Sequence, residues 1–334
     1  MNKLIFLALL LILSSAYKTD ALSSLWDTWK THHKKGYSAL EERVRFGIFV
    51  ENYQKITRLN AENIGVKFGL NKFADLTSYE FGLRYASGGL SESNQELLKK
   101  KTVTSSLGNL PVNVDWRNKG AVTPVGDQFQ CGSCWAFSTL GLLEAFYFVK
   151  NGQLIAFSEQ QLMDCDTQSY GCNGGYPDLA VDYATKAGLE SNADYPYTGV
   201  DANCLYDQSK TYNMSATAQY VKPNSTDQMK AALVNSPVSI VIDAFSDPFQ
   251  FYKSGVIRKN CTADQPNHTG LAVGYDKFGL YEAFIVKNSW GTDWGMDGYV
   301  LIGTSDKENK GLGPCGVLFQ PMIVVPKENS FLTI

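Results

Sequence analysis

Apolar and polar positions alternate along this chain with two different periods, and the change from one to the other divides it. Between Ser24 and Asn60 apolar side chains recur every three or four residues, with few turn formers apart from Gly36. That spacing predicts two helices broken near Gly36 and Tyr37. From Cys134 a run of helix formers and apolar residues continues to Lys150, where Asn151 and Gly152 supply a stop; it is the strongest helix signal in the sequence. After about residue 210 the texture turns to short β-branched and aromatic runs punctuated by Gly, Pro and Asn, namely Val238 to Ile242, Leu271 to Tyr275, Tyr281 to Val286 and Tyr299 to Ile302. These predict strands, so the fold class is α+β. Residues 86–109 are polar, poor in aromatics and rich in Ser, Gly and Lys, as an exposed linker would be.

Only residues 4–13 form a long apolar run, and ten helical residues are too short for a bilayer core of about 30 Å. With Lys3 before it and Ser14, Ser15 and Ala16 after it, the run reads as a secretory signal over residues 1–16. The whole chain carries a net charge of -3, but residues 17–109 hold 14 Lys and Arg against 10 Asp and Glu, while residues 110–334 hold 15 against 23. A basic front thus precedes an acidic body, and an acidic body does not condense on phosphates, which argues against nucleic acid as the partner. Attraction between the two parts should fade below about pH 5 as carboxylates protonate.

Seven cysteines all lie between Cys131 and Cys315; in a secreted chain an odd count suggests three disulfides and one free thiol, with the pairing left open. There is no HExxH and no pair of CxxC ligand sets, so no metal site is expected. His268 is the body's only histidine, the others being His32 and His33, so any imidazole base in the body must be His268. Cys131 ends a Gly-containing loop, whereas Cys134 opens the strong helix. A thiol at a helix start feels the positive end of the dipole and unpaired N–H groups, which favours the thiolate.

The segment Cys131-Gly132-Ser133-Cys134-Trp135 is followed 134 residues after Cys134 by His268 in Asn-His-Thr-Gly, and then by Asn288-Ser289-Trp290-Gly291. With Val114-Asp115-Trp116-Arg117 and the glycine-rich Gly171-Cys172-Asn173-Gly174-Gly175, these blocks resemble the papain family of cysteine proteases, cathepsin L-like branch; C-G-[SA]-C-[WY] is that family's known signature. The resemblance implies a helical domain beside a β-barrel-like one with the active site in the cleft between them. It also implies Cys134 as nucleophile, His268 as its partner, Asn288 to orient the imidazole, and Gln128 with the Cys134 N–H as oxyanion donors. Trp290 would shield the imidazole, and Gly174 and Gly175 would form one wall of the substrate cleft. Tyr176, Pro177, Val241, Thr269 and Gln320 would line the pocket for the second residue on the acyl side of the cut, favouring Leu, Val or Phe. The disulfides implied are Cys131–Cys172, Cys165–Cys204 and Cys261–Cys315, with Cys134 free.

In the front segment Glu41, Arg45, Phe49, Asn52, Ile56 and Asn60 are spaced 4, 4, 3, 4 and 4, along one face of a helix. Followed by Gly69, Asn71, Phe73 and Asp75, they resemble the ERFNIN and GxNxFxD motifs of cathepsin L-like propeptides. Residues 17–109 are therefore expected to be an inhibitory propeptide and 110–334 the mature peptidase. The resemblance implies protein and peptide substrates, the propeptide as intramolecular inhibitor, cystatin-like inhibitors, no cofactor, no membrane partner and a monomer. The expected address is the secretory pathway, ending in a lysosome or digestive vacuole or outside the cell. Two residues depart from the family pattern: Phe129 replaces a usual Gly and is expected to crowd the oxyanion loop, and Thr269 replaces Ala or Gly and narrows the pocket. Sequons start at Asn213, Asn224, Asn260 and Asn267, the last expected to stay bare beside His268. The competing class, a thiol-disulfide oxidoreductase using the CxxC at 131–134, lacks a surrounding βαβ pattern. A non-catalytic homologue would be expected to have lost the nucleophile.

Overall fold

A computed structural model describes residues 20–63, 65–86, 102–105 and 108–327. The expected signal segment and most of the expected linker lie outside the described residues. The front segment begins with α1 (residues 20–32) and α2 (Ala39–Glu62), separated where the spacing predicts. Ser38 caps α2 by accepting the Glu41 N–H, and the carboxylates of Glu41 and Glu42 face the positive end of the helix. Short elements β1 (Val66–Phe68) and α3 (Ser78–Tyr85) follow, α3 opening on a reciprocal cap between Thr77 and Glu80.

The helical motif is a scaffold for the loop after β1. Asn52 is buried and donates to the carbonyls of Ala74 and Leu76 at 2.9 and 2.8 Å. Asn60 pairs with both backbone groups of Phe68 at 3.0 Å, and Arg45 binds Glu80 and the Asp75 carbonyl. Asp75 in turn accepts from Tyr37 at 2.6 Å and from Lys35. Phe49 and Ile56 are buried beneath.

In the body, β3 (Val114–Asp115) precedes the long helix α4 (Cys134–Asn151), which Gly152 ends in a left-handed turn at φ 73°. Helices α5 (Glu159–Cys165) and α6 (Pro177–Ala187) complete the helical part. The remainder is largely strand: β4 (Ala216–Val221), β5 (Val238–Ile242), β6 (Tyr252–Ile257), β7 (His268–Phe278), β8 (Tyr281–Lys287), β9 (Tyr299–Gly303) and β10 (Met322–Pro326). Helix α7 (Thr226–Asn235) and the single turn α8 (Asp247–Gln250) flank it. The disulfides Cys131–Cys172, Cys165–Cys204 and Cys261–Cys315 are formed and Cys134 is free, as the resemblance implied.

Two pairings join the front segment to the body's sheet. β1 adds to β6 as an antiparallel edge strand, Val66 opposite Gly255. At the other edge β2 (Thr102–Val103) runs parallel to β4, and Ser105 exchanges two hydrogen bonds with the Gln228 side chain. The expectation of an exposed linker throughout 86–109 is therefore corrected at residues 102–105. A β-branched pair beside an open sheet edge finds backbone partners that polar composition does not announce. In the zymogen, Asn52→Ala removes two buried bonds and leaves two carbonyls unpaired, which should cost about 1–3 kcal/mol. The first thermal transition should fall by about 3 °C or more; a melting curve unchanged within a degree would show that the loop does not depend on Asn52.

Candidate active site

The nucleophile candidate is placed by α4. Cys134 is its first residue, Ser133 makes no side-chain cap, and no acidic residue stands in the first turn, so the helix's positive end is not spent on a carboxylate. Trp135 is fully buried and donates to the Gly171 carbonyl at 3.0 Å. Gly132 donates to the Cys172 carbonyl at 2.8 Å, so the disulfide loop and the glycine-rich loop are tied beside the helix start. Gly175 is required there, because a Cβ would stand 2.4 Å from the Trp135 ring. Gly174 is buried with φ 109°, next to Tyr176 and Pro177, which open α6.

The imidazole comes from the sheet. His268 is the first residue of β7, opposite Ile242 of β5, and Thr269 is opposite Val241. Asn288 follows β8 directly; its Oδ1 lies 2.7 Å from His268 Nε2 and also accepts the Ser289 N–H at 2.9 Å. An amide oxygen can only accept, so Nε2 carries a proton and the network assigns Nδ1 as the atom left for proton exchange. Burial alone would raise the Cys134 thiol pKa, but the charge of His268 and hydrogen bonding by His268 and Thr269 outweigh it, and the net shift is downward. Nδ1 has no aligned hydrogen-bond partner in this resting geometry, so the effect is chiefly one of charge. Among the described residues, Asn288 Nδ2 and Trp290 Nε1 are likewise buried without a hydrogen-bond partner, as groups at reactive centres often are.

Trp290 lies over the imidazole, ring centroids 4.7 Å apart, and is packed edge-on by Trp294 at 4.8 Å. From the front segment Phe73 and Phe81 meet the same indole edge-to-face at 5.6 and 5.2 Å. Asn71 donates to the Gln250 carbonyl, and the Gln250 side chain donates to the carbonyls of Phe73 and Leu76. Gly69 donates to the Phe251 carbonyl at 2.9 Å. The second motif thus docks onto the wall that covers the imidazole.

Gln128 is fully buried and held on three sides. Its Nε2 donates to the Cys131 carbonyl at 2.7 Å, its Oε1 accepts from Ser289 Oγ at 2.6 Å, and its backbone carbonyl accepts from Tyr197 Oη at 2.9 Å. One amide hydrogen remains free to bind a developing negative charge. Ser289 and Tyr197, which also bonds Ser133 Oγ at 2.7 Å, escaped the sequence reading. Ser289 lies inside a recognised block, but nothing local marks Tyr197, 64 residues from Ser133. Phe129 is 53% exposed with φ 53° and stacks on Tyr197, so it leans outward from the oxyanion loop. Gln320 is half-buried two residues before β10, whose Met322 pairs with Ser239 of β5.

The helix-start thiol, strand-start imidazole and neighbouring amide stand together in a chain that belongs to the papain family, a cysteine endopeptidase made as a proenzyme. The family model described as papain family cysteine protease matches residues 110–323, and that of the cathepsin propeptide inhibitor domain matches residues 26–81. The chain is 37% identical to papain of Carica papaya over 305 residues, spanning 90% of this chain and 86% of that one. It is 38% identical to the KDEL-tailed cysteine endopeptidase CEP2 of Arabidopsis thaliana, spanning 98% and 95%. Among solved structures, the proform of the ragweed pollen allergen Amb a 11 superposes with a TM-score of 0.82 at 31% identity, covering 93% of this chain and 96% of that. Digestive procathepsin L 3 of Tenebrio molitor larval midgut superposes at 0.78 and 32%, covering 91% and 99%.

Behind the site, a cavity of about 360 Å³ lies between the helical part and the sheet, reaching Thr269 and Asn288 and bordered by Glu144, Glu159 and Lys287. Thr123 bridges Glu144 and Lys287 at 2.6 and 2.9 Å. Burial raises the Glu144 carboxyl and lowers the Lys287 ammonium. Burial, then the charge of Glu144, pushes Glu159 up to about 8. A carboxyl raised above its unfolded value binds its proton more tightly when folded, so its contribution is fully present below about pH 4.5 and lost as pH climbs toward 8. In an inactive Cys134→Ala zymogen the melting temperature should fall from pH 5 to pH 8, and Glu159→Gln should flatten that slope. Equal slopes in the two proteins would contradict the assignment.

Proposed function

We propose that this proenzyme hydrolyses peptide bonds through a Cys134 thiolate and a His268 imidazolium. The observation that carries the mechanism is the Asn288 Oδ1 hydrogen bond to Nε2, which leaves Nδ1 for the thiol. The thiolate attacks the scissile carbonyl carbon, and the Cys134 N–H with the free amide hydrogen of Gln128 receives the tetrahedral oxyanion. As the C–N bond breaks, Nδ1 gives its proton to the leaving amine, producing a thioester. Water then attacks the thioester with His268 taking its proton, and the acid product leaves as the thiolate re-forms. Asn288 and Trp290 act as positioning residues, the first fixing the ring and the second excluding water.

The division we propose is a signal over 1–16, a propeptide over 17–109 and the peptidase from 110 onward. Ion pairs anchor the propeptide at Asp127 with Lys72 and Asp247 with Lys55, beside the neutral contacts of Asn71 and Gln250, and the opposite net charges of the two parts of the chain make acid the proposed trigger of its release. The residues proposed to line the pocket for the second acyl-side position, Val241 and Thr269 with Tyr176, Pro177 and Gln320, are all uncharged and fit Leu, Val or Phe there. Asn267 fits an unmodified state: its Nδ2 donates to Asp243 at 3.1 Å and its Oδ1 accepts the Ala244 N–H. Routing through the secretory pathway to a vacuole, lysosome or the exterior, activity as a monomer and inhibition by cystatin-like proteins belong to the same proposal.

The test is titration of acid-activated protein with an epoxysuccinyl-peptide thiol reagent, alongside a positional-scanning peptide library. One equivalent should abolish activity, Cys134→Ala and His268→Ala should lower kcat/KM by at least about 1,000-fold, and Leu, Val or Phe should lead Arg at the second position. Retained hydrolysis in Cys134→Ala would overturn the mechanism, and a preference for Arg would overturn the pocket.

A further inference from the structure

The geometry points to Asp127 as a specificity residue: with Asp293 beside it, it selects a cationic side chain on the leaving-group side of the scissile bond. This rests on the proposed roles of Gln128 and His268. Asp127 directly precedes Gln128, and its backbone forms an antiparallel bridge with Trp290, the indole over the imidazole that protonates the leaving amine. A peptide leaving from that imidazole therefore emerges beside this bridge.

The acidic character of the place comes from two elements meeting at Gly291. A Cβ at Gly291, where φ is +72°, would lie 2.9 Å from Asp127 Oδ2 and 3.1 Å from Asp293 Oδ1, so both carboxylates converge on one backbone point. Asp127 Oδ1 is occupied by the Phe129 N–H at 2.9 Å, which fixes the side chain and turns Oδ2 outward. Asp293 is exposed.

The propeptide shows what this place accepts. Lys72 sets its ammonium 2.5 Å from Asp127 Oδ2, with the two side chains only 15% and 25% exposed. The next residue, Phe73, packs on Trp290, so the Lys72-Phe73 pair covers the leaving-group side as a unit. His33 of the same segment stands within the field of Asp293, which opposes the lowering of its pKa by burial. Removing the propeptide takes the Lys72 ammonium away and leaves two carboxylates facing the departing half of a substrate. A substrate Lys or Arg restores the lost pairing, whereas Glu meets repulsion.

The experiment uses enzyme matured in acid from the full chain, assayed at about pH 6, where aspartates are ionised. Internally quenched peptides share one acyl-side sequence and carry Lys, Ala or Glu singly at each of the first three leaving-side positions. At one of these positions kcat/KM for Lys should exceed that for Glu by about fivefold to tenfold, mainly through KM, and the ratio should shrink in about 0.5 M salt. Asp127→Asn keeps the Oδ1 acceptor for Phe129 and should bring the ratio below about twofold, with Asp293→Asn lowering it partway. Cleavage of Lys and Glu peptides at equal rates at all three positions, or a Lys preference unmoved by Asp127→Asn, would overturn the inference alone and leave Lys72–Asp127 as a zymogen latch. Failure to cleave any of the peptides would instead overturn the hydrolytic reading beneath it, and the inference with it.

Discussion

The proposed catalysis depends on one imidazole placed between a thiol and an amide that come from different parts of the fold. The helical part contributes the thiol at the start of α4 and the sheet contributes the ring at the start of β7. The amide that orients the ring arrives from the end of the neighbouring strand β8. None of the three is reactive alone. A buried thiol by itself is an inert, protonated group, and it is the charge of His268, with hydrogen bonding by His268 and Thr269, that offsets that burial.

That constraint explains the shape of the zymogen. The front segment leaves the His268–Asn288 hydrogen bond untouched and docks with Phe73 and Phe81 on Trp290, the indole beside the imidazole. Backbone pairing of β1 with β6 and the two-way exchange with Gln250 hold it there. The asparagines of α2 build the loop that carries Phe73, so a helix remote from the cleft sets the position of the inhibitory contact. The propeptide folds around a small aromatic core of Trp26, Trp29 and Phe49 braced by buried Asn52, and it meets the body through Phe73 and Phe81 as well as through polar contacts.

What was legible in the sequence followed from local physics. The break between α1 and α2, the stop at Gly152 and the strands beginning at Val238 and Tyr281 came from periodicity and turn formers. Cys134 was singled out as the candidate nucleophile by its place at a helix start. The disulfide partners, separated by 39 to 54 residues, came only through family resemblance, since spacing does not encode which loops meet. The strand at Thr102–Val103, the bracing of Gln128 by Ser289 and Tyr197, and the meeting of Lys72 with Asp127 were not legible. Each joins residues distant in the chain, and each depends on an edge or carbonyl that exists only after folding.

The central claim is that Cys134 is a thiolate because His268 is charged beside it, and the pH dependence of its alkylation tests this directly. The pH midpoint of iodoacetamide modification of the matured enzyme should lie below that of an ordinary thiol, because the charge of His268 favours the thiolate. A rate that rises about tenfold per pH unit through pH 8, as for a free thiol of pKa about 8.5, would contradict the account.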